Sequence, residues 1–92
     1  MNLTPAQKLM LRDAIIAQCA AAGATGLPMH TLRHGVRLAG FGNLEEQELE
    51  RHLHFLTSDG MLEVSGAPMA AALKRWSVSA KGVRYAEECG LA

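Results

Sequence analysis

The sequence has no excess of charge of either sign. Its 92 residues include nine Lys and Arg and nine Asp and Glu, so the formal net charge at pH 7 is zero. A neutral chain has no overall field that attracts a polyanion such as DNA or an anionic membrane surface. Any contact with nucleic acid must therefore depend on where individual basic residues lie on the folded chain.

Long apolar runs and targeting segments are also missing. No stretch approaches the ~20 apolar residues needed to cross a bilayer, and residues 1–4 lead into a helix instead of a signal region. We expect a cytoplasmic protein without a membrane segment. The only cysteines are Cys19 and Cys89. Because both fall in apolar helix patterns, we expect reduced, buried thiols and not a disulfide.

Patterns that carry catalysis or bind metals are absent as well. The sequence has no glycine-rich phosphate loop and no paired carboxylates that can be placed in one pocket. His30 and His34 are spaced i, i+4, but a structural zinc site usually takes four ligands, and no cysteine or acidic pair is nearby in the sequence. We therefore expect no enzymatic activity, no cofactor and no metal.

Aromatic residues are few, at 4% of the chain. We assign them to the core or to the packing of a hairpin: Phe41, Phe55, Trp76 and Tyr85. Because aromatics do not alternate with basic residues along the sequence, we expect no surface that stacks single-stranded bases.

The first predicted helix has clear start and stop signals. Thr4 can cap it, Pro5 suits its first position, and Gln7 can return a hydrogen bond to the cap. Gly23 supplies the stop. Two apolar rows at helical spacing predict burial on two sides. One row is Leu11, Ile15, Cys19 and Ala22, and the other is Leu9, Ile16 and Ala20.

Two further helices are predicted after a turn. The shorter one opens at Pro28 and ends at Gly40. The longer one starts with a capping pattern of Asn43 and Glu46 and runs to Asp59. The apolar positions predicted to reach the core are Leu32, Val36 and Leu38 in the first of these helices, and Leu49, Leu53 and Leu56 in the second.

After Gly60 the hydrophobic period changes from that of a helix to that of a strand. Leu62 and Val64 alternate with their neighbours, and residues 74–79 alternate again beyond a segment rich in turn-forming residues. These features predict a two-stranded hairpin with an alanine-rich loop. Ser79 then caps a final helix. The apolar positions of that helix are Val83, Ala86 and Cys89.

The order of these elements is helix, short helix, tight turn, helix, hairpin and helix, which predicts one α+β, mainly α, domain over residues 1–92. Two stretches resemble the winged helix-turn-helix superfamily. Residues 53–62 are similar to the Leu-x-x-Leu-x-x-x-Gly-x-Leu run that joins its third helix to its first wing strand, and residues 76–82 resemble the start of the last helix in many bacterial winged-helix regulators. In size and element order the chain is also similar to small winged-helix proteins carried by Mu-like prophages.

The resemblance implies a three-helix core, a two-stranded β-hairpin wing and a C-terminal helix. It also implies that helix 43–59 enters the major groove of duplex DNA, as in a transcriptional regulator or a phage-type DNA adaptor. The side of this helix opposite its leucines carries residue types that bond base edges: Gln47, Arg51, His54 and Ser58. The candidates for phosphate contacts are basic residues elsewhere: Arg33, Arg37, Lys74, Arg75, Lys81 and Arg84.

The acidic residues of the same helix favour an alternative. Four glutamates crowd its first half, Glu45, Glu46, Glu48 and Glu50. Carboxylates repel phosphates, although near a helix N-terminus they also stabilise the helix dipole. The loop 66–73 has no Lys or Arg, so we do not expect it to enter a minor groove. The alternative function is a winged-helix module that binds a partner protein through this acidic segment and the apolar residues 68–73.

The first helix also predicts a contact between two copies of the chain. Its residues 17–24 are mostly small, which allows two helices to approach closely. A domain of this size has a thin core, because short chains bury only about 60 to 65 per cent of their unfolded surface. We therefore expect a homodimer through helix one, with the last helix as a second contact.

Overall fold

The structure is a computed structural model that describes residues 3–66 and 74–91. Within these residues it contains four α-helices and a three-stranded antiparallel sheet, so the fold is α+β and mainly α as predicted. In chain order the elements are α1 (Pro5–Ala22), a 3-10 turn (Gly23–Thr25), β1 (Leu27–Pro28), α2 (Met29–Leu38), α3 (Glu46–Ser58), β2 (Leu62–Ser65), β3 (Arg75–Val78) and α4 (Ala80–Glu88). The apolar loop 68–73 lies outside the described residues.

Helix α1 begins as its sequence predicts. Thr4 Oγ1 accepts a hydrogen bond from the Gln7 main-chain N–H at 3.1 Å, and the Thr4 N–H donates to Gln7 Oε1 at 2.9 Å. Gly23 ends the helix with a φ of 71°. The expected burial of Leu9 is wrong, since its side chain is 55% exposed. Residues 4–10 are all exposed, so the second apolar row is not covered at this end of α1.

Helix α2 starts directly after Pro28, and its Leu32 and Val36 are fully buried. Leu38 was also expected in the core, and this prediction is wrong because its side chain is 76% exposed. It lies two residues beyond Val36 in the sequence, which is about 200° around the helix axis. The last residue of α2 therefore faces away from the core.

The cap of helix α3 lies two residues later than its sequence predicts. The capping pattern at Asn43 is wrong, because the residue before the helix is Glu45, whose side chain makes no capping hydrogen bond. Phe41 and Leu44, in the link between α2 and α3, are both buried, and the Leu44 N–H donates to the Phe41 carbonyl oxygen at 3.1 Å. These two apolar side chains hold the link against the core, so the helix begins only at Glu46.

The predicted hairpin is part of a larger sheet. Strands β2 and β3 pair antiparallel as expected, with Leu62 opposite Val78 and Val64 opposite Trp76. Strand β1 pairs with the other edge of β3, which gives the order β1-β3-β2. The prediction of a sheet of two strands was wrong because it lacked β1. This strand has only two residues, too few for an alternating pattern to show in the sequence.

Hydrogen bonds at two positions connect helix α4 to the rest of the chain. Ser79 Oγ accepts a hydrogen bond from the Gly82 N–H at 3.1 Å, as the sequence predicts for a cap, and donates to the Met61 carbonyl oxygen at 3.0 Å. Further along the helix, the Tyr85 hydroxyl donates to Asp13 Oδ1 of α1 at 2.6 Å. These bonds attach α4 to both the sheet and α1.

The two cysteines are free but differ in burial. Cys19 is buried in the core as predicted, and its burial raises the pKa of the thiol to about 12. Such a thiol stays protonated and unreactive at neutral pH. The expected burial of Cys89 is wrong, because this residue lies just after the last residue of α4 and is exposed.

One hydrophobic core is shared by the helices and the sheet. Its buried side chains are Leu11, Ile15, Ile16, Cys19, Leu32, Val36, Phe41, Leu44, Leu49, Leu53, Leu56, Leu62, Trp76 and Ala86. The three leucines of α3 are among them, as predicted, which orients that helix. In the part of the chain that the structure describes, no helix has the length and apolar character to cross a bilayer.

Candidate functional site

The outward face of α3 is formed by the residues that the sequence indicates. Leu49, Leu53 and Leu56 are buried on one side of the helix. At about 100° per residue, the opposite side carries four exposed side chains: Gln47, Arg51, His54 and Ser58. The first three of these line a shallow depression together with Glu50. The prediction that this face points to solvent is confirmed.

The sheet-side groove lies along one flank of α3 and has a volume of about 570 Å³. It is lined by Met29, His30, Glu46, Glu50, Leu53, His54, Thr57, Val64, Lys74 and Trp76. Apolar side chains from α2, α3 and the sheet form much of this lining. Glu46 and Glu50 outnumber Lys74, so this flank of α3 is acidic.

The α1-side pocket lies along the other flank of α3 and has a volume of about 510 Å³. It is lined by Leu3, Lys8, Arg12, Glu48, Arg51, His52 and Phe55. Three cationic side chains therefore meet one carboxylate, that of Glu48. The two flanks of α3 thus have opposite charge, although the chain as a whole is neutral.

Arg12 is held in the α1-side pocket by two contacts with α3. Its guanidinium carbon lies 3.9 Å from the centre of the Phe55 ring, and its Nε donates a hydrogen bond to His52 Nδ1 at 3.3 Å. The assignment of Phe55 to the core is wrong. Its side chain is 46% exposed, because it lies on the flank of α3 and supports Arg12 instead of packing inward.

His52 lies in surroundings that disfavour the charged form of its ring. Its pKa lies below the ordinary value of 6.5, mainly because the ring is buried and next because Arg12 is adjacent. Lys8 and Arg51 also lower this pKa, whereas Glu48 raises it. The neutral ring accepts the bond from Arg12 at Nδ1, so its proton is on Nε2.

Acid is expected to destabilise the protein through His52. Because the folded pKa is lowered, the unfolded chain binds a proton more readily, and the free energy of unfolding decreases as the pH falls below 6.5. Urea unfolding at a series of pH values tests this in the wild type and in His52→Gln, whose amide oxygen can still accept from Arg12. The wild type should lose more stability on acidification than the variant, and parallel pH profiles would contradict the prediction.

Several predicted phosphate contacts have structural partners instead. Arg75 Nε donates to the Thr25 carbonyl oxygen at 2.9 Å and Arg75 Nη2 to that of Gly26 at 3.3 Å. Lys81 Nζ donates to the Asp59 carbonyl oxygen at 2.8 Å, at the end of α3. Both side chains tie distant segments together, so a phosphate would compete with main-chain oxygens for them.

The other predicted phosphate residues are spread over the surface. Lys74 lies in the sheet-side groove. Arg37 and Arg84 are exposed on α2 and α4, while Arg33 is half-buried and its Nε has no hydrogen-bond partner among the described residues. The basic residues that meet beside α3 are instead Lys8 and Arg12. Both lie on α1, about forty residues before the α3 residues of the pocket, and no pattern in the sequence connects them to it.

The remaining predictions concern metals and self-association. Among the described residues, no group of three or more His, Cys, Asp and Glu side chains is arranged to hold a metal ion. The homodimer through helix one stays a prediction. The large apolar side chains that α1 exposes are Leu9 and Met10, which lie toward the opposite end of the helix from the small residues that favour this contact.

Comparison with protein-family models, curated proteins and solved structures gives no match for this chain.

Proposed function

We propose that the chain is a winged-helix DNA-binding domain that lays α3 in the major groove of duplex DNA. The observation that supports this most directly is the exposed outward face of α3, where Gln47 and Arg51 project away from the core. Arginine and glutamine side chains can each make paired hydrogen bonds to a base edge. The order of α2, link, α3 and hairpin also agrees with this function, which is that of a transcriptional regulator or a phage-type DNA adaptor.

The charges around α3 limit the affinity of such binding. Glu46 and Glu50 lie on the sheet-side flank and repel phosphates. Arg51 is the cation on the outward face itself, within the depression that it shares with Glu50. Arg51 and Glu50 are therefore the two positions where a single substitution should change DNA affinity in opposite directions.

Arg51→Ala should weaken the binding of a preferred duplex by about 1 to 3 kcal/mol and reduce discrimination between duplexes. Arg51 is exposed, so the substitution leaves the core intact. The preferred duplex is obtained by selecting from a random pool with the wild-type protein at low salt. Fluorescence anisotropy then compares the affinities of the variant and the wild type for the selected duplex and for a scrambled one.

Glu50→Gln is the matched control, because it removes a charge of the opposite sign one residue away. It should strengthen binding to both the selected and the scrambled duplex, since a repulsive carboxylate acts on any sequence. If the wild type binds no duplex at about 50 mM salt, where phosphate contacts are strong, the proposal of DNA binding is wrong.

That negative result would leave the protein-binding module as the function. The sheet-side groove favours it specifically, because Met29, Val64 and Trp76 provide apolar surface beside Glu46 and Glu50. Such a groove suits a partner that presents apolar side chains next to basic ones. Glu50→Gln would then weaken partner binding instead of strengthening DNA binding, so one variant separates the two functions.

A further inference from the structure

We infer that the α1-side pocket binds a backbone phosphate of the duplex, next to the bases that α3 reads. This inference rests on the proposed function and identifies two residues that anchor the DNA beside the base-reading Arg51: Lys8 and Arg12. Neither residue is among the phosphate contacts that the sequence predicts: Arg33, Arg37, Lys74, Arg75, Lys81 and Arg84.

The position of the pocket relative to the outward face supports a phosphate ligand. The major groove is about 12 Å wide, and a helix with its side chains is about 10 to 12 Å across. A helix in that groove therefore has a sugar-phosphate backbone along each flank. Arg51 lines both the outward depression and the α1-side pocket, so the base-reading surface continues directly into the pocket.

The charge difference between the flanks determines which backbone is held. The sheet-side flank presents Glu46 and Glu50 against Lys74 alone, and this excess of negative charge disfavours a close phosphate. The α1-side flank presents three cations against Glu48 alone. We therefore expect the tight phosphate contact on the α1 side, with the second backbone held more loosely.

Arg12 is preorganised for this contact. Its guanidinium carbon lies over the Phe55 ring, and its Nε is hydrogen-bonded to His52. The structure gives the Nη nitrogens no hydrogen bond to a described residue, so these donors are free for an anion. Holding the side chain in place before binding reduces the entropy lost when a phosphate binds.

The test uses charge-removing variants of the full chain and a mixed-sequence duplex of about 30 base pairs, which is roughly three helical turns. Lys8→Gln and Arg12→Gln should each weaken binding by about threefold to tenfold and reduce the slope of log affinity against log salt by about 0.9. The loss should be the same for any sequence, because a phosphate carries no sequence information. Lys8 is exposed, so its substitution does not threaten folding.

Two matched variants separate a phosphate contact from a packing role. Arg12→Lys keeps the charge but loses the planar group on Phe55, so it should retain most of the salt slope that Arg12→Gln loses. Glu87→Gln changes the charge of an exposed side chain on α4, away from the residues that line the pocket, and should leave both affinity and salt slope unchanged.

The inference is overturned if Lys8→Gln and Arg12→Gln bind the duplex with the affinity and salt slope of Glu87→Gln and the wild type. In that case the wild type still binds DNA, so the proposed function stands without this pocket. It is also overturned if Arg12→Lys and Arg12→Gln lose affinity equally with no change in salt slope, which is the signature of packing. Absence of any wild-type binding at about 50 mM salt instead removes the proposed function itself.

Discussion

Gly82→Ala is expected to destabilise the protein by about 3 kcal/mol or more, which is a large part of the stability of a small domain. A Cβ at this position would overlap the Met61 carbonyl oxygen and lie 2.5 Å from Cγ2 of Val78. The carbonyl belongs to the main chain and also accepts from the N–H and the hydroxyl of Ser79, so it cannot move without breaking the bonds that hold the cap residue of α4. Urea unfolding of the variant and the wild type measures the difference.

Gly35→Ala is the control for the substitution at Gly82, because both glycines lie inside helices. Its Cβ would meet the amide end of Gln18, the far end of a flexible side chain that can rotate away. Alanine also favours a helix over glycine by about 1 kcal/mol, so Gly35→Ala should be neutral or slightly stabilising. Equal stability of the two variants would show that the contact of Gly82 with Met61 does not exist.

Leu44→Ala should reduce the free energy of unfolding by about 3 kcal/mol, within the range for buried leucines. The side chain of Leu44 is completely buried although it lies in a link between helices. Its removal leaves a cavity under the start of α3 and frees the link. Thermal or urea unfolding followed by circular dichroism measures the loss.

Leu38→Ala is the matched comparison for Leu44→Ala, since it truncates the same residue type a few positions earlier in the chain. Leu38 is mostly exposed, and surface substitutions of this kind usually change stability by less than about 0.5 kcal/mol. Similar losses in the two variants would contradict the position of Leu44 in the core.

The sequence predicts those parts of the fold that depend on neighbouring residues. The capping box of Thr4 and Gln7 and the cap at Ser79 are correct because each bond joins residues three positions apart. The start of α3 is wrong because the burial of Leu44 is a tertiary contact that competes with the local capping signal at Asn43. Strand β1 was missed for the same reason, since only its pairing with β3 defines it.

The residues of the candidate site also differ in whether they could be placed from the sequence. The outward face of α3 follows from the period of a single helix, so Gln47 and Arg51 could be placed from the sequence. The α1-side pocket joins Lys8 and Arg12 to residues about forty positions away, such as His52, and no local pattern links the two segments. The main-chain partners of Arg75 are fifty residues distant, which is why its side chain was predicted to be free.

The short strand β1 has a consequence for how other molecules can approach the sheet. It forms one edge, and one of its two residues is a proline, which has no N–H to donate. An edge this short is a poor template for β-strand addition or for amyloid-like stacking. A partner that binds at this edge must therefore be recognised through side-chain contacts. The same edge disfavours the growth of a continuous sheet from many copies of the chain.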